Sequence, residues 1–415
     1  QEARDELDGL DLEWVPGGHP LSLLEDARAL ALSGGVPLSI PLVQEARERG
    51  IPLTNDSQIF VDRAPCPVVG ITGSAGKTTT TVLLGRMISE ANGPERTWVG
   101  GNIGNPLISV LDDMDTEDLA VMELSSFQLE IMTSAPEIAA VLNITPNHLD
   151  RHGTMEAYAA AKSRIVRNQS RDDITVLNRD DPGSWSLREN VPGSLVSFGF
   201  QRPAHGEVGT YLHQGQIVLW DGAQSKALFP SGYIQLRGKH NRANVLAACA
   251  LAHAVNVPPR AMAAGVQGFR GVEHRLEHVR KWGGVDWYND SIATAPERAV
   301  AALQSFSEPV VLLAGGQDKD LPWVEFARVV HFQVRHVILF GEAAEIIERA
   351  LAETDGESRL EITRCQGLKE AVQTAARVVR EGDIVLLSPG GTSFDEFRDF
   401  AQRGDAYKRW VNELK

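Results

Sequence analysis

Gly73, Gly76, Lys77 and Thr78 sit within the stretch Gly70–Thr80, GITGSAGKTTT, whose residue types and spacing suit a nucleotide's phosphates. Two glycines let the backbone approach phosphate oxygens without a Cβ in the way. Lys77 has the reach for the β- and γ-phosphates, and the Thr78 hydroxyl is a ligand type for Mg²⁺. Ser74, Ala75 and Thr79 complete the loop. The apolar PVVGIT before it reads as a buried parallel strand, and KTTTTVLLGRMISEA after it reads as a helix, with Val82, Leu83, Met87 and Ile88 at helical spacing. The loop therefore opens a helix N-terminus, where backbone N–H groups and the dipole favour negative charge. A strict phosphate loop has glycine five residues before Gly76, where this chain has Ile71. A plain helix start is the simpler account, but strand, glycines, lysine and hydroxyl agree on the phosphate cradle.

Three further residues could do chemistry. Glu123 directly follows the apolar VM of LAVMEL and would stand at the carboxyl end of a strand neighbouring the loop, a suitable place for a Mg²⁺ ligand. Taken alone, a strand-end glutamate more often faces solvent. His148, in NITPNHLDRHG, follows the next strand, and a lone histidine is more often structural than a ligand. Lys162 follows a run of alanines in EAYAAAKSRIV and would ordinarily be a solvated helix lysine.

These residues need a parallel sheet to gather them, and the chain is long enough for two or three domains at 415 residues. Residues 1–65 are expected to form a small α/β domain, incomplete at its start, with helical fragments in LEDARALAL and PLVQEARERG and a short strand in GIPLT. The prolines of DRAPCP mark the way out of it. Residues 66–270 are expected to form a second domain, with buried strands at 119–124, 138–144 and 174–178 and helices between them. Segment 195–236 reads as appended antiparallel hairpins, and 240–255 as a long helix. Residues 271–415 alternate again, with strands at 310–314, 336–340 and 383–388. Ligands then belong at the carboxyl ends of these strands. A formal charge of −15 argues against nucleic acid, and no apolar run approaches the ~20 residues that span a bilayer. Cys66, Cys249 and Cys365 match no disulfide or metal spacing, as expected in a reducing cytoplasm.

TGSAGKTT is followed, in order, by GGNIGNP, ELSSFQLE, NITPNHLDRHG, YAAAKSRI, GKHNRANVLAA, EHRLE, NDSIAT, GGQDKD and SPGGTSFDEF. This series resembles the ATP-dependent Mur ligases along nearly the whole chain from about residue 66, and ELSSFQ and SPGGTSFDEF resemble their D-glutamate-adding members. The resemblance implies an α/β fold of three domains: a central phosphate-loop domain with a mostly parallel sheet, between Rossmann-like N- and C-terminal domains. It implies a ligase that activates UDP-N-acetylmuramoyl-L-alanine with ATP as an acyl phosphate and joins it to D-glutamate, in cytoplasmic peptidoglycan precursor synthesis. Two Mg²⁺ ions and a monomer are expected, without nucleic-acid or membrane partners.

By the same resemblance Lys77 and Thr78 contact phosphate and Mg²⁺. Glu123, His148 and Lys162 match metal ligands, Lys162 as an Nζ-carbamate, and His274 is a further candidate for the acyl-phosphate step. Asn241, Asn244, Arg275 and Asp290 resemble nucleotide contacts. Asn102, Ser125 and Gln128 resemble residues around the UDP-sugar peptide, and Thr294, Lys319, Ser393 and Phe400 match the glutamate site. NDSIAT carries Ile292 where the best-known members have lysine, with Ala295 after it where they have asparagine, and the loop after His148 is one residue shorter than in some relatives. The rivals are another Mur ligase, a folylpolyglutamate synthase-like ligase, and a phosphate-loop binding protein without ligase activity. ELSSFQ and the absence of the DNPR motif weigh against the first two, and the presence of Glu123, His148 and Lys162 against the third.

Overall fold

The structure is a computed structural model that describes residues 12–15, 17–34, 36–102, 106–146, 149–319, 321–354 and 360–415. The chain divides into two compact units, Gln1–Ser231 with Ala243–Gly265, and Gly232–Arg242 with Val266–Lys415.

The first unit opens with a two-stranded parallel sheet, β1 (Leu30–Ala31) and β2 (Leu53–Thr54), with the helix Pro41–Glu48 between the strands. LEDARALAL does not form the expected helix. A 3-10 turn ends at Leu24, and the Leu30 and Leu32 N–H groups bond instead to the Pro52 and Thr54 carbonyls at 2.8 and 2.9 Å. Parallel pairing has overridden the segment's helical propensity. The helix Asp56–Arg63 is capped by Asn55, whose side chain accepts from Gln58 N–H and donates to the Gln128 carbonyl at 2.9 Å.

The large sheet follows: β3 (Val68–Thr72), β4 (Thr97–Gly101), β5 (Leu119–Glu123), β6 (Ile138–Val141), β7 (Ile174–Asn178), β8 (Ser194–Phe198), β9 (Val208–His213), β10 (Gln216–Trp220) and β11 (Ser225–Pro230). Their order is β11-β10-β9-β8-β7-β6-β3-β5-β4. Pairing is parallel from β4 through β9. It is antiparallel only for β9-β10-β11. The expectation of hairpins from residue 195 is thus corrected at β8, which extends the parallel sheet. Every residue of β3, β5 and β6 is buried, the pattern of strands covered on both faces. The central strand β3 leads into the loop Gly73–Gly76, with β5 on one side ending at Glu123 and β6 on the other, from which the chain runs on to Asn143.

The second unit has a six-stranded sheet, ordered β12-β13-β17-β14-β15-β16, from β12 (Glu277–Trp282), β13 (Val285–Asn289), β14 (Val310–Gly315), β15 (Val334–Phe340), β16 (Glu361–Arg364) and β17 (Ile384–Gly390). Only β12 is antiparallel to its neighbour. Along β14, Val310, Leu312 and Ala314 pack into one core, while Val311 and Leu313 pack into the core on the other face. This alternation places helices on both sides of the sheet. The carboxyl ends of β13, β14 and β17 then gather the segments 290–294, 315–319 and 390–393.

Arg403, in the helix Phe400–Glu413, stitches two of these segments together. The side chain is fully buried, with Nε donating to Ser291 Oγ (3.0 Å), Nη1 to the Thr392 carbonyl (2.8 Å), and Nη2 to the Ser291 and Gly391 carbonyls (2.9 and 3.1 Å). Burial pushes the guanidinium down to about 10, so it remains charged at neutral pH, held by neutral acceptors. Arg403→Met keeps most of the apolar stem but strands the Ser291 and Gly391 carbonyls, while that of Thr392 keeps the Gln317 N–H. It should destabilise the second unit by at least about 2 kcal/mol, at about 1 kcal/mol or more per unpaired acceptor. Urea unfolding followed by tryptophan fluorescence measures this, and a loss below about 1 kcal/mol would show that the carbonyls find other donors.

Candidate active site

The loop Gly73–Gly76 is fixed by the end of β6. Ser74 N–H donates to the Asn143 carbonyl (3.0 Å), Ala75 N–H to Asn143 Oδ1 (2.8 Å), and Asn143 Nδ2 to the Ala75 carbonyl (3.0 Å). Ser74 Oγ accepts from Thr145 N–H at 2.9 Å and from Tyr158 O–H at 3.0 Å. Gly76 is the N-cap of the helix Lys77–Asn92 at φ 85°, with no side chain to cap it. A Cβ there would strike Asn244 Oδ1, so the glycine serves both the left-handed turn and the close approach of Asn244.

Lys77 Nζ donates to the Gly73 carbonyl at 3.1 Å. Lys162 donates to the same oxygen at 2.9 Å and approaches Thr72 Oγ1 at 3.4 Å. Lys162 is not the solvated lysine that its helix position suggests. It is 1% exposed, with Nζ 4.8 Å from the centroid of the Tyr158 ring. Burial, and then the charge of Lys77, hold its amine well below the usual lysine range, against a smaller opposing pull from Glu123.

Glu123 is likewise buried, 2% exposed, rather than solvent-facing. Its Oε1 accepts from Asn102 Nδ2 at 3.1 Å, while the buried Oε2 has no hydrogen-bond partner. A buried carboxylate oxygen without a donor is expensive unless a cation completes it. Together with the Thr78 hydroxyl, it supplies the oxygen donors that a hard ion such as Mg²⁺ takes. Among the described residues no three His, Cys, Asp or Glu side chains are placed to hold a metal. Two of the four expected ligands, Thr78 and Lys162, are not of those types, and His148 lies outside the described residues.

Ser125 and Gln128 follow Glu123, but they engage each other in a capping box. Ser125 Oγ accepts from Gln128 N–H (3.2 Å), Gln128 Oε1 accepts from Ser125 N–H (2.9 Å), and Gln128 Nε2 donates to Ser57 Oγ (2.7 Å). They tie β5 to the N-terminal helix Asp56–Arg63.

The second unit gathers another group. His274 is buried, as are Asp290 and Ser393, whereas Phe400 is partly exposed and Lys319 exposed. The Gln317–Thr392 bridge sets the segment bearing Lys319 beside the one bearing Ser393. Thr294 is half-buried, and its N–H bonds to the Ile292 carbonyl at 2.8 Å. Arg275 lies in the same bend as His274, its N–H bonded to the Val272 carbonyl. Asn241 is half-buried, and its Nδ2 donates to the Arg237 carbonyl at 2.7 Å. Asp290 accepts from Leu276 N–H (3.1 Å) and Ser388 Oγ (2.8 Å). Burial outweighs these bonds and pushes its carboxyl up to about 7. Asn143, Asn289 and Arg403 escape a reading of motifs. The two asparagines lie inside NITPN and YNDS, but Arg403 in FAQRGD carries no signal of its burial.

Residues 71–252 match the Mur ligase middle domain and residues 274–391 the Mur ligase glutamate ligase domain. Among solved structures of the same fold are the UDP-N-acetylmuramate-alanine ligase MurC from Thermotoga maritima (TM-score 0.58, 18% identity, 96% of this chain and 88% of that one) and the MurF ligase from Thermotoga maritima in complex with ADP (0.56, 18%, 94% and 95%). The chain belongs to the Mur ligase family. Within it, the chain is 40% identical over 413 residues to the UDP-N-acetylmuramoylalanine–D-glutamate ligase of Symbiobacterium thermophilum, covering all of this chain and 90% of that one. It is also 40% identical over 412 residues to the enzyme of that name from Pelotomaculum thermopropionicum, covering 99% and 89%.

The elevated Asp290 gives a test with a defined sign. Its folded pKa of about 7 exceeds the ordinary carboxylate value, so the folded state holds the extra proton between about pH 4 and pH 7. Its contribution to stability is fully present below about pH 4 and lost as pH rises through 7. The stability of the wild type relative to Asp290→Asn should therefore fall across this window, by up to about 1.4 kcal/mol per pH unit. Denaturant titrations of both proteins at stepped pH measure it, and a flat difference would place the carboxyl near its ordinary value.

Proposed function

We propose that the chain is an ATP-dependent amide ligase that joins D-glutamate to UDP-N-acetylmuramoyl-L-alanine through an acyl phosphate, in cytoplasmic peptidoglycan precursor synthesis. The observation that carries the reading is the pairing of a phosphate loop with an unpartnered carboxylate oxygen on Glu123 and a buried amine on Lys162. The printed names of the 40%-identical relatives supply the substrates.

A free carboxylate is a poor electrophile at neutral pH, so the alanine carboxylate first attacks the γ-phosphorus of ATP and ADP departs. The glutamate amine then adds to the acyl carbon, loses a proton, and expels inorganic phosphate as the amide forms. Lys77 and the uncapped helix N-terminus at Gly76 neutralise phosphate charge in the first step, which demands positioning more than a protein nucleophile. Thr78, Glu123, His148 and Lys162 would hold two Mg²⁺ ions, which supply further charge neutralisation at the phosphoryl group. Lys162 would serve as a carbamate. Its depressed basicity leaves the neutral amine available to form an N–C bond with CO₂ and lose a proton, giving oxygen donors for a hard ion.

Asn244 beside Gly76, with Asn241, Arg275 and Asp290, would contact the nucleotide, and Asn102, Ser125 and Gln128 would line the UDP-sugar peptide. Thr294, Lys319, Ser393 and Phe400 would form the glutamate site. Residues 1–65, 66–270 and 271–415 would serve the UDP substrate, ATP and the amino acid respectively. A monomer suffices, since all these groups come from one chain.

Phosphate release should require ATP, the UDP-sugar peptide and D-glutamate together. Release without either acceptor would favour the non-ligase reading. Lys162→Ala should lose at least about 10²-fold in turnover. Acetate or formate, but not chloride at equal ionic strength, should partly restore it, and an active unrescued Lys162→Ala enzyme would remove the carbamate. Ser393→Ala and Lys319→Ala should raise the glutamate KM far more than the ATP KM. Equal effects on both would move the amino-acid site elsewhere.

A further inference from the structure

His274 is held at every polar atom but one. Its φ of 61° places a non-glycine residue in the left-handed region. Its N–H donates to Glu277 Oε2 at 2.9 Å, and its carbonyl accepts from Ile292 N–H at 3.1 Å. The ring packs edge-on to Phe400, with centroids 6.0 Å apart, and lies against Gly404, where a Cβ would collide with Nδ1. A glycine in the interior of a helix thus makes room for this imidazole.

The orientation of Asn289 decides which ring nitrogen carries the proton. Asn289 is fully buried, and its Oδ1 accepts from Ser291 N–H at 3.1 Å. That bond fixes the amide and turns Nδ2 toward Glu277 Oε2 (3.0 Å) and His274 Nδ1 (3.1 Å). A flipped amide would set its oxygen against the glutamate carboxylate and oppose two N–H donors at Ser291. Nδ1 therefore accepts, and a neutral ring carries its proton on Nε2. Asp405 Oδ1 stands 3.9 Å from Nε2, beyond hydrogen-bond reach. Charged groups of every sign face the ring: Glu277 and Glu273 on its own bend, and Asp405 and Lys408 on the packed helix, where Lys408 pairs with all three carboxylates at 3.1–3.7 Å.

We infer that Asn289 is a positioning residue that locks His274 in the Nε2–H tautomer, so that His274 acts in the ligase reaction as a neutral hydrogen-bond donor and not as a base. The inference rests on the ligase reading above. A base would need an unprotonated nitrogen facing the substrate, and the ring's lone pair is instead spent on Asn289 inside the fold.

Two measurements test it. Long-range ¹H–¹⁵N spectra of ¹⁵N-histidine-labelled wild type, with His274 assigned by its Gln variant, should show an unprotonated Nδ1 and a protonated Nε2 at neutral pH. The opposite tautomer overturns the inference without touching the ligase reading, since ligase activity is assayed separately. Kinetically, Asn289→Asp places an acceptor against Nδ1 and favours the wrong tautomer or the imidazolium. It should lower kcat by roughly 10²-fold while the ATP and glutamate KM values stay within about threefold. His274→Gln, whose amide N–H can stand where Nε2–H stood, should retain at least about tenfold more turnover than His274→Ala, whereas a lost base would make the two equal. If Asn289→Asp does not fold, the wild-type spectrum and the His274 pair decide alone.

Discussion

Two lysine amines, Lys77 and Lys162, donate to one carbonyl oxygen, that of Gly73. One carbonyl cannot compensate two cations, and the nearby carboxylate, Glu123, is itself buried with an oxygen unpartnered. Burial and mutual repulsion resolve the conflict by driving the Lys162 amine toward its neutral form. The surrounding structure holds this arrangement in place. Asn143 and Thr145 pin the loop from β6, Tyr158 clasps Ser74 while covering Lys162, and Asn102 steadies Glu123. The candidate site is thus tense in charge but tight in geometry, which suits an anionic occupant.

The second unit solves a related problem differently. Arg403 is also a buried cation, but main-chain carbonyls and a serine hydroxyl take four of its N–H donors, so it keeps its proton and serves as a structural clamp. Asp290 gains its two donors from Leu276 and Ser388 yet is still pushed up to about 7, because burial outweighs them. The ionisable groups at the carboxyl ends of β13 and β17 are therefore fixed mainly by backbone contacts, while those around β3 are left needing ligands.

The strand–loop–helix around Gly73–Gly76 was legible because its expected chemistry and its secondary structure use the same residues. A strand, glycines, a lysine and a helix start leave few other folds for GITGSAGKTTT. The parallel strands were legible as continuous apolar runs. The direction of β8 was not, since VSFGF alternates equally well in a hairpin and at the margin of a parallel sheet, and only its pairing to β7 and β9 decides. LEDARALAL carries a helical pattern that loses to hydrogen bonds from Leu30 and Leu32 N–H to the Pro52 and Thr54 carbonyls, some twenty residues on. The burial of Lys162 could not be read from its helix either, because alanine neighbours suit solvent exposure and a tight interior alike. Arg403 and the orientation of Asn289 depend on contacts across 112 and 15 residues of chain, which no local spacing encodes.

Ile292, set against the lysine expected from the resemblance, is intelligible on the same terms. The segment 289–294 takes its shape from main-chain bonds: Ile292 N–H to the His274 carbonyl, Ala293 N–H to the Asp290 carbonyl, and Thr294 N–H to the Ile292 carbonyl. Arg403 holds Ser291 through both its carbonyl and its hydroxyl. None of these contacts uses the side chain at 292, so a change there removes a cation without moving His274, Asp290 or Thr294. The substitution is therefore confined to the electrostatics of whatever binds beside it.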